Sequence, residues 1–458
     1  MTKTPRLLLC APSSGGGKTT VTCALLQALM DGGAKPVAFK CGPDYIDPMF
    51  HSEIIGAKSR NLDLFFLDEN TVRRLLCENA GGSSLALIEG VMGYYDGISM
   101  SSEASAYHLA RVTQTPAVLV ADVKGRALTA AALVRGMAEF RPDSGIRGVI
   151  LNRCPAMLYE RLKSSIEAES GIPVFGYLPE MPACSFESRH LGLVTAAEVG
   201  ELRDKLGRLA RQAEKSLDIT GLLKLAASAP ELSWRQPERP KPLPETPVIA
   251  VARDKAFCFY YEDGLEELRR QGAQLVFFSP LEDNSLPAGT CGLYLGGGYP
   301  ELYAEQLSRN AAMREAVRKA VADGVPTVAE CGGFLYLHET LAGPSGDSWP
   351  MAGVIPAGSW NQGKLGRFGY ITLTAREDGL LLRQGETLPA HEFHYWESGA
   401  PGRGFRAQKP QSSRGWDCGW HTSTMYAGFP HFHFSARPDC ARRFVQACLR
   451  YKEEGKWS

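Results

Sequence analysis

The stretch APSSGGGKTT, residues 11–20, constrains the fold of this 458-residue chain more than any other. A nucleotide phosphate is held where backbone N–H groups, a cation and a helix N-terminus converge on one spot. Three glycines followed by Lys-Thr-Thr supply all three, provided that a strand precedes them and a helix follows. Both are expected. RLLLCA (6–11) reads as a buried strand, and residues 18–31 have helical length and stop at Gly32 and Gly33. The strict pattern G-x-x-x-x-G-K-[ST] is not met, because Pro12 stands where its first glycine should be. The context still reads as a nucleotide loop. Gly15, Gly16 and Gly17 let the backbone approach the phosphates, Lys18 reaches the outer ones, Thr19 offers a hydroxyl to magnesium, and Thr20 completes the motif.

Further short apolar runs follow at 36–40, 85–90, 117–122, 148–152 and 173–179, with helical lengths between them. Strands alternating with helices predict an α/β fold with a parallel, doubly covered sheet. The proline-rich, charged stretch 229–247 can be neither regular helix nor central strand and is expected to link two domains, 1–228 and 248–458. A second α/β pattern follows, with strands expected at 248–254, 274–280, 292–298 and 326–333, and later at 370–373 and 429–435.

Magnesium needs hard oxygen ligands besides a threonine hydroxyl. KCGPDYIDPMF places Asp44 and Asp47 after the second expected strand, and LALIEG places Glu89 after the third. Ligands of open α/β sheets gather at such strand ends. In the second half, VAECGGFLYL sets Cys331 between a strand and a helix-like run, with two glycines after it. That arrangement predicts a tight turn that presents a thiol at a helix N-terminus, with a lowered pKa and with the Gly332 N–H beside a forming oxyanion. LYLGGGYPEL, centred on Gly297, offers a second oxyanion donor. A thiol nucleophile needs a base. FPHFHFS supplies His431 and His433, which would share a face on a strand, so spacing does not choose between them. HEFHYWES spaces its histidines by three rather than four, which argues against a zinc-protease motif.

Fifty basic residues balance fifty acidic ones, which gives no support to a nucleic-acid binder or a polybasic membrane anchor. Twelve scattered cysteines without C-x-x-C pairs, and no apolar run of transmembrane length, point to a cytoplasmic protein.

Taken in order, SSGGGKTT, KCGPDYIDP, SRNLD, IEGVMGYYDG, LVADVKG, ILNR, RHLGLV, LGGGYPEL, AECGGFLYL and HEFHY resemble the cobyrinic acid a,c-diamide synthases over nearly the whole chain. The resemblance implies a dethiobiotin-synthetase-like P-loop ATPase domain fused to a class I glutamine amidotransferase-like domain. It accounts for the missing glycine, since loops of this kind begin with a small residue, here Ala11. Ser13 stands where partitioning ATPases carry a signature lysine, which disfavours a nucleotide switch.

The implied reaction is ATP- and Mg2+-dependent amidation of the a and c acetates of cobyrinic acid, with glutamine or ammonia as donor, in cobalamin biosynthesis. Hydrogenobyrinic acid and nickel-sirohydrochlorin are the alternative substrates. The implied catalytic set is Cys331 with His431 or His433, and Asp44 with Glu89. Thr19, Asp44 and Glu89 are the implied metal ligands, and Asn152 matches the position that reads adenine. The usual amidotransferase glutamate two residues after the histidine is absent, since His433 or Ser435 stands there. Arg60, Asp63, Arg189 and His190 are motif-borne candidates for holding the macrocycle, with a purely structural ion pair as the equal alternative. Partners are small molecules only. A homodimer is admissible, and the oligomeric state stays open.

Overall fold

Residues 7–10 and 117–121 are apolar at every consecutive position, so neither face of these strands can be left to water. In the computed structural model, which describes residues 3–184, 196–238 and 240–455, such runs form one parallel sheet. Its strands are β1 (Arg6–Cys10), β2 (Pro36–Cys41), β3 (Ser59–Leu62), β4 (Leu85–Glu89), β5 (Ala117–Asp122), β6 (Ile146–Asn152) and β7 (Val174–Leu178). The spatial order is β3-β2-β4-β1-β5-β6-β7. β3 is a correction to the sequence reading: SRNL is short and polar, yet it pairs in parallel with β2 at the sheet edge. Glu89 therefore ends the fourth strand in chain order, not the third.

β1 lies between β4 and β5. The chain leaves β1 for one side of the sheet and later crosses to the other. This is the topological switch point at which ligands of open α/β sheets bind. The helix that follows β1, α1 (Lys18–Asp31), starts from Gly17 in the left-handed conformation with no side-chain cap. Val21, Leu25 and Leu29 of α1 pack in one apolar core with Leu202, Leu206 and Leu209.

By its contacts the chain divides into two compact units, Met1–Pro237 and Glu238–Ser458, a division that falls inside the stretch read as a linker. Arg6, fully buried, donates from its guanidinium to the carbonyls of Thr4, Thr113, Gln114 and Pro230, which fastens the start of that stretch to the first unit. Lys452 pairs with Glu245 at 2.6 Å and fastens its end to the second.

The second unit holds a six-stranded sheet in the order 274–278, 248–252, 290–295, 327–330, 425–428, 420–421, parallel except for its last pair. A five-stranded antiparallel sheet, built on the long pair Arg367–Ala375 and Thr387–His394, adds a layer beyond the expected α/β pattern. The run 429–435 is not one strand. Only His431–Phe432 pairs, opposite residues 391 and 390, and a 3-10 turn takes over at Phe434–Ala436.

Candidate active sites

The first site forms where β1, β2 and β4 end. Register alone brings Leu9 and Lys40 to either side of Glu89. Glu89, fully buried, accepts from the Thr19 hydroxyl at 2.6 Å and from Lys40 Nζ at 2.8 Å. The same ammonium pairs closely with Asp47 and lies 3.8 Å from Asp44. His51 Nε2 stands 3.6 Å from the other Glu89 oxygen. Burial pushes the Glu89 carboxyl up to about 7 and Asp44 up to about 6. Burial opposes the charge on Lys40, but Glu89, Asp47 and Asp44 outweigh it and hold that ammonium well above its ordinary value. Lys18 is lowered by burial and then by repulsion from Lys40. Lys18 at an uncapped helix start and Lys40, buried at the neighbouring strand end, are the kind of groups that hold a polyanion. The oxygens around them are one hydroxyl and three carboxylates, the hard donors that magnesium takes.

The loop itself is braced. Lys18 Nζ donates to the carbonyls of Ser13 and Met92, at 3.1 and 2.6 Å. Asn152 donates to the Gly16 carbonyl at 3.1 Å. Gly17 has φ +97°, and a Cβ there would lie 2.0 Å from Asn152 Nδ2. Gly17→Ala therefore combines backbone strain with a clash. Strain of about 1–3 kcal/mol that disfavours the binding form of the loop would correspond to a roughly 5- to 150-fold rise in the dissociation constant of a nucleotide, read by titration calorimetry.

The second site is built around Cys331. It has φ +45° and ψ −97°, a strained turn between the strand Thr327–Glu330 and the helix Gly332–Tyr336. Its N–H donates to the Gly428 carbonyl at 2.7 Å, which locks the turn to the neighbouring strand. The thiol is only 8% exposed. This corrects the expected low pKa: burial pushes the thiol up, Glu301, Glu330 and Glu392 add to that, and the Gly332 backbone offsets only part. A five-residue helix supplies little dipole against three carboxylates.

Gly297 and Gly332 meet. A Cβ on Gly332 would lie 3.0 Å from Gly298 N and 3.3 Å from the Gly297 carbonyl carbon. A Cβ on Gly297 would lie 2.4 Å from His431 Cε1. The glycine loop thus touches both the residue after the cysteine and the His431 ring. His433 goes elsewhere, stacked on Tyr261 at 5.0 Å with its Nδ1 accepting from the Ser435 N–H. The two histidines thus meet different neighbours, although the backbone at His433 is still extended. Burial drives His431 down to about 3, so the resting ring is neutral.

Comparison with known proteins follows this division. Residues 7–193 match the CobQ/CobB/MinD/ParA nucleotide binding domain, and residues 248–439 match the CobB/CobQ-like glutamine amidotransferase domain. The chain is 38% identical to the cobyrinate a,c-diamide synthase of Thermoplasma volcanium, over 99% of each chain. It is 37% identical to that of Caldanaerobacter subterraneus, over 97% of this chain and 98% of the relative. With that of Gloeobacter violaceus the identity is 40%, over 98% of each. The chain belongs to the cobyrinate a,c-diamide synthase family.

As a member of the cobyrinate a,c-diamide synthase family it is a glutamine-dependent, amide-forming ligase with a nucleotide-binding domain. Of the residues read from sequence, the structure brings Lys18, Thr19, Asp44 and Glu89 to one site. It brings Cys331, Gly332, Gly297 and His431 to another. Asp44 also accepts from the Ile46 N–H at 2.8 Å and so shapes its own turn. Asn61 of SRNLD fixes that turn from behind, donating to the carbonyls of Gly42 and Asp44. Asp63, 2% exposed, accepts from the Phe65 N–H in a local turn. Arg189 and His190 lie outside the described residues.

Lys40 and Glu330 escaped the sequence reading. A lysine closing the apolar run PVAFK carried a signal, since lysine is almost never buried unless paired. No helix among the described residues is long and apolar enough to cross a membrane.

Proposed function

We propose that the chain amidates the a and c acetate carboxylates of cobyrinic acid at the expense of ATP, drawing ammonia from glutamine. What carries this reading is the coexistence, in one chain, of a phosphate loop facing Lys40 and its carboxylates with a strained cysteine backed by a histidine. A carboxylate resists attack by ammonia because its leaving group would be oxide. In the proposed first step its oxygen attacks the γ-phosphorus of ATP, ADP leaves, and an acyl phosphate forms. Ammonia then attacks the acyl carbon, phosphate departs, and a proton is lost. Lys18 and Lys40 neutralise charge on the transferring phosphoryl group, the dominant contribution in such chemistry. Thr19, Asp44 and Glu89 would hold Mg2+, which supplies further charge neutralisation when bound. Asn152, already bracing the loop, is the residue assigned to adenine.

In the second unit Cys331 attacks the glutamine amide carbon, and His431 takes the thiol proton and hands it to the leaving nitrogen. Ammonia departs, and water hydrolyses the thioester to glutamate. The N–H groups of Gly297 and Gly332 face the oxyanion. Because the thiol is held protonated, His431 acts as a base during attack rather than pairing with a preformed thiolate. Twelve free thiols fit work in a reducing compartment.

A mass assay tests the substrate. With ATP, Mg2+ and glutamine, cobyrinic acid should lose about two mass units, one per OH replaced by NH2. Hydrogenobyrinic acid and nickel-sirohydrochlorin run in parallel. A loss confined to either would reassign the macrocycle, and ATP consumption without any mass change would remove the substrate class.

A further inference from the structure

The geometry points to Glu330, the residue immediately before the cysteine, as the group that positions His431 for catalysis, in place of the glutamate this chain lacks two residues after the histidine. The inference rests on the reading of Cys331 and His431 as nucleophile and base.

Glu330 ends the strand Thr327–Glu330 and lies in register with Gly428, on the neighbouring strand that leads into His431. Its side chain is 1% exposed and that of His431 is 3% exposed. Glu330 Oε2 stands 3.3 Å from His431 Nδ1. Oε1 accepts from the Tyr294 hydroxyl at 3.1 Å, and the main-chain N–H of Phe432 donates to the same carboxyl. Each of these neighbours can donate, and an acceptor-only carboxylate is the form that satisfies them together. Burial holds Glu330 well above the usual carboxylate range, and the hydrogen bonds from Tyr294 and Phe432 offset only part of that.

With Oε2 accepting from Nδ1–H, the proton is fixed on Nδ1. Nε2 is then left with a lone pair for the Cys331 proton. As attack proceeds, the ring gains positive charge beside a buried acid at low dielectric, and the 3.3 Å contact tightens. The acid of the amidotransferase triad is thus supplied from the nucleophile's own strand. Titratable neighbours are His391, in register with His431, and His394 on the same strand. Tyr260 and Tyr426 sit near Glu330, and Glu301 and Glu392 near Cys331.

The test is glutaminase kinetics of Glu330→Gln, Glu330→Asp and His431→Asn in the full chain, across pH. For Glu330→Gln, kcat should fall about 10²–10⁴-fold, with a much smaller change in the KM for glutamine. Removing a negative charge beside the imidazolium makes the ring less basic. The acid limb of kcat/KM should therefore move to lower pH by about one unit or more. Glu330→Asp should restore part of kcat and return the limb toward that of the parent. A purely structural role would lower the active fraction without moving the limb, and that result overturns the inference. So does a Glu330→Gln protein indistinguishable from the parent while His431→Asn is inactive. Retained activity in His431→Asn would instead overturn the base assignment on which the inference rests. Should Glu330→Gln not fold, Tyr294→Phe reads the same carboxyl through its other oxygen. A shift of the limb supports the role, and an unmoved limb overturns it.

Discussion

Cys331→Ala should abolish amidation driven by glutamine and leave amidation driven by ammonium salts close to the parent rate. With Cys331 as the proposed nucleophile for the glutamine amide, the glutaminase should fall by at least about 10³-fold, the scale seen when a nucleophile is removed. In the proposed reaction the ammonia-driven step draws on the phosphate loop, Lys40 and the carboxylates, all in the other unit. Alanine suits the site. It bears the same φ of +45° at no greater steric cost, and it keeps the N–H that bonds the Gly428 carbonyl at 2.7 Å. Removing one buried sulfur should shift the melting temperature by no more than a few degrees. The checks are amide formation by mass with each donor, and a melt on the same preparation. Equal loss from both donors in a folded protein would end the division of labour between the units.

The broad architecture is legible in the sequence because buried parallel strands are nearly uniform in composition, and because a glycine-rich loop between strand and helix has few other uses. What escapes is whatever depends on partners far along the chain. SRNL has no apolar run, and it forms a strand only because β2 offers an edge. Lys40 looks like a polar strand end until register sets it beside Glu89, 49 residues away. Glu330 reads as an ordinary strand residue. Its meeting with His431, 101 residues on, follows from parallel pairing of its strand with Met425–Gly428, the strand that leads into His431. The choice between His431 and His433 is closed to periodicity because both lie on extended backbone, and what separates them is their neighbours: Gly297 and Glu330 for His431, Tyr261 and Ser435 for His433.

The same distinction between register and local pattern sets the second large effect, that of Glu89→Gln. The swap is isosteric and keeps a side-chain oxygen for the Thr19 hydroxyl, but it removes one of the three negative charges around Lys40. Amidation from both donors should drop together, by about 10²–10³-fold, as expected when one preorganised electrostatic partner is lost. Stability should respond differently. Glu89 is a carboxyl whose folded-state pKa, about 7, lies above its ordinary 4.5. Such a group binds its proton more tightly in the folded state, so the stability it contributes is present at low pH and is lost as pH rises from about 4.5 through about 7. Glutamine has no such loss. The melting temperature of Glu89→Gln relative to the parent should therefore be more favourable at pH 7.5 than at pH 5, while Asp47 and Asp44 remain to hold Lys40. A variant that melts no worse than the parent near neutral pH, yet amidates from neither donor, identifies a charge retained for chemistry rather than for folding. Loss confined to the glutamine-driven reaction would remove Glu89 from the ATP site. A relative melting temperature that falls as pH rises would mean that pairing with Lys40 outweighs the burial of Glu89, and that the cluster is first of all a structural ion pair.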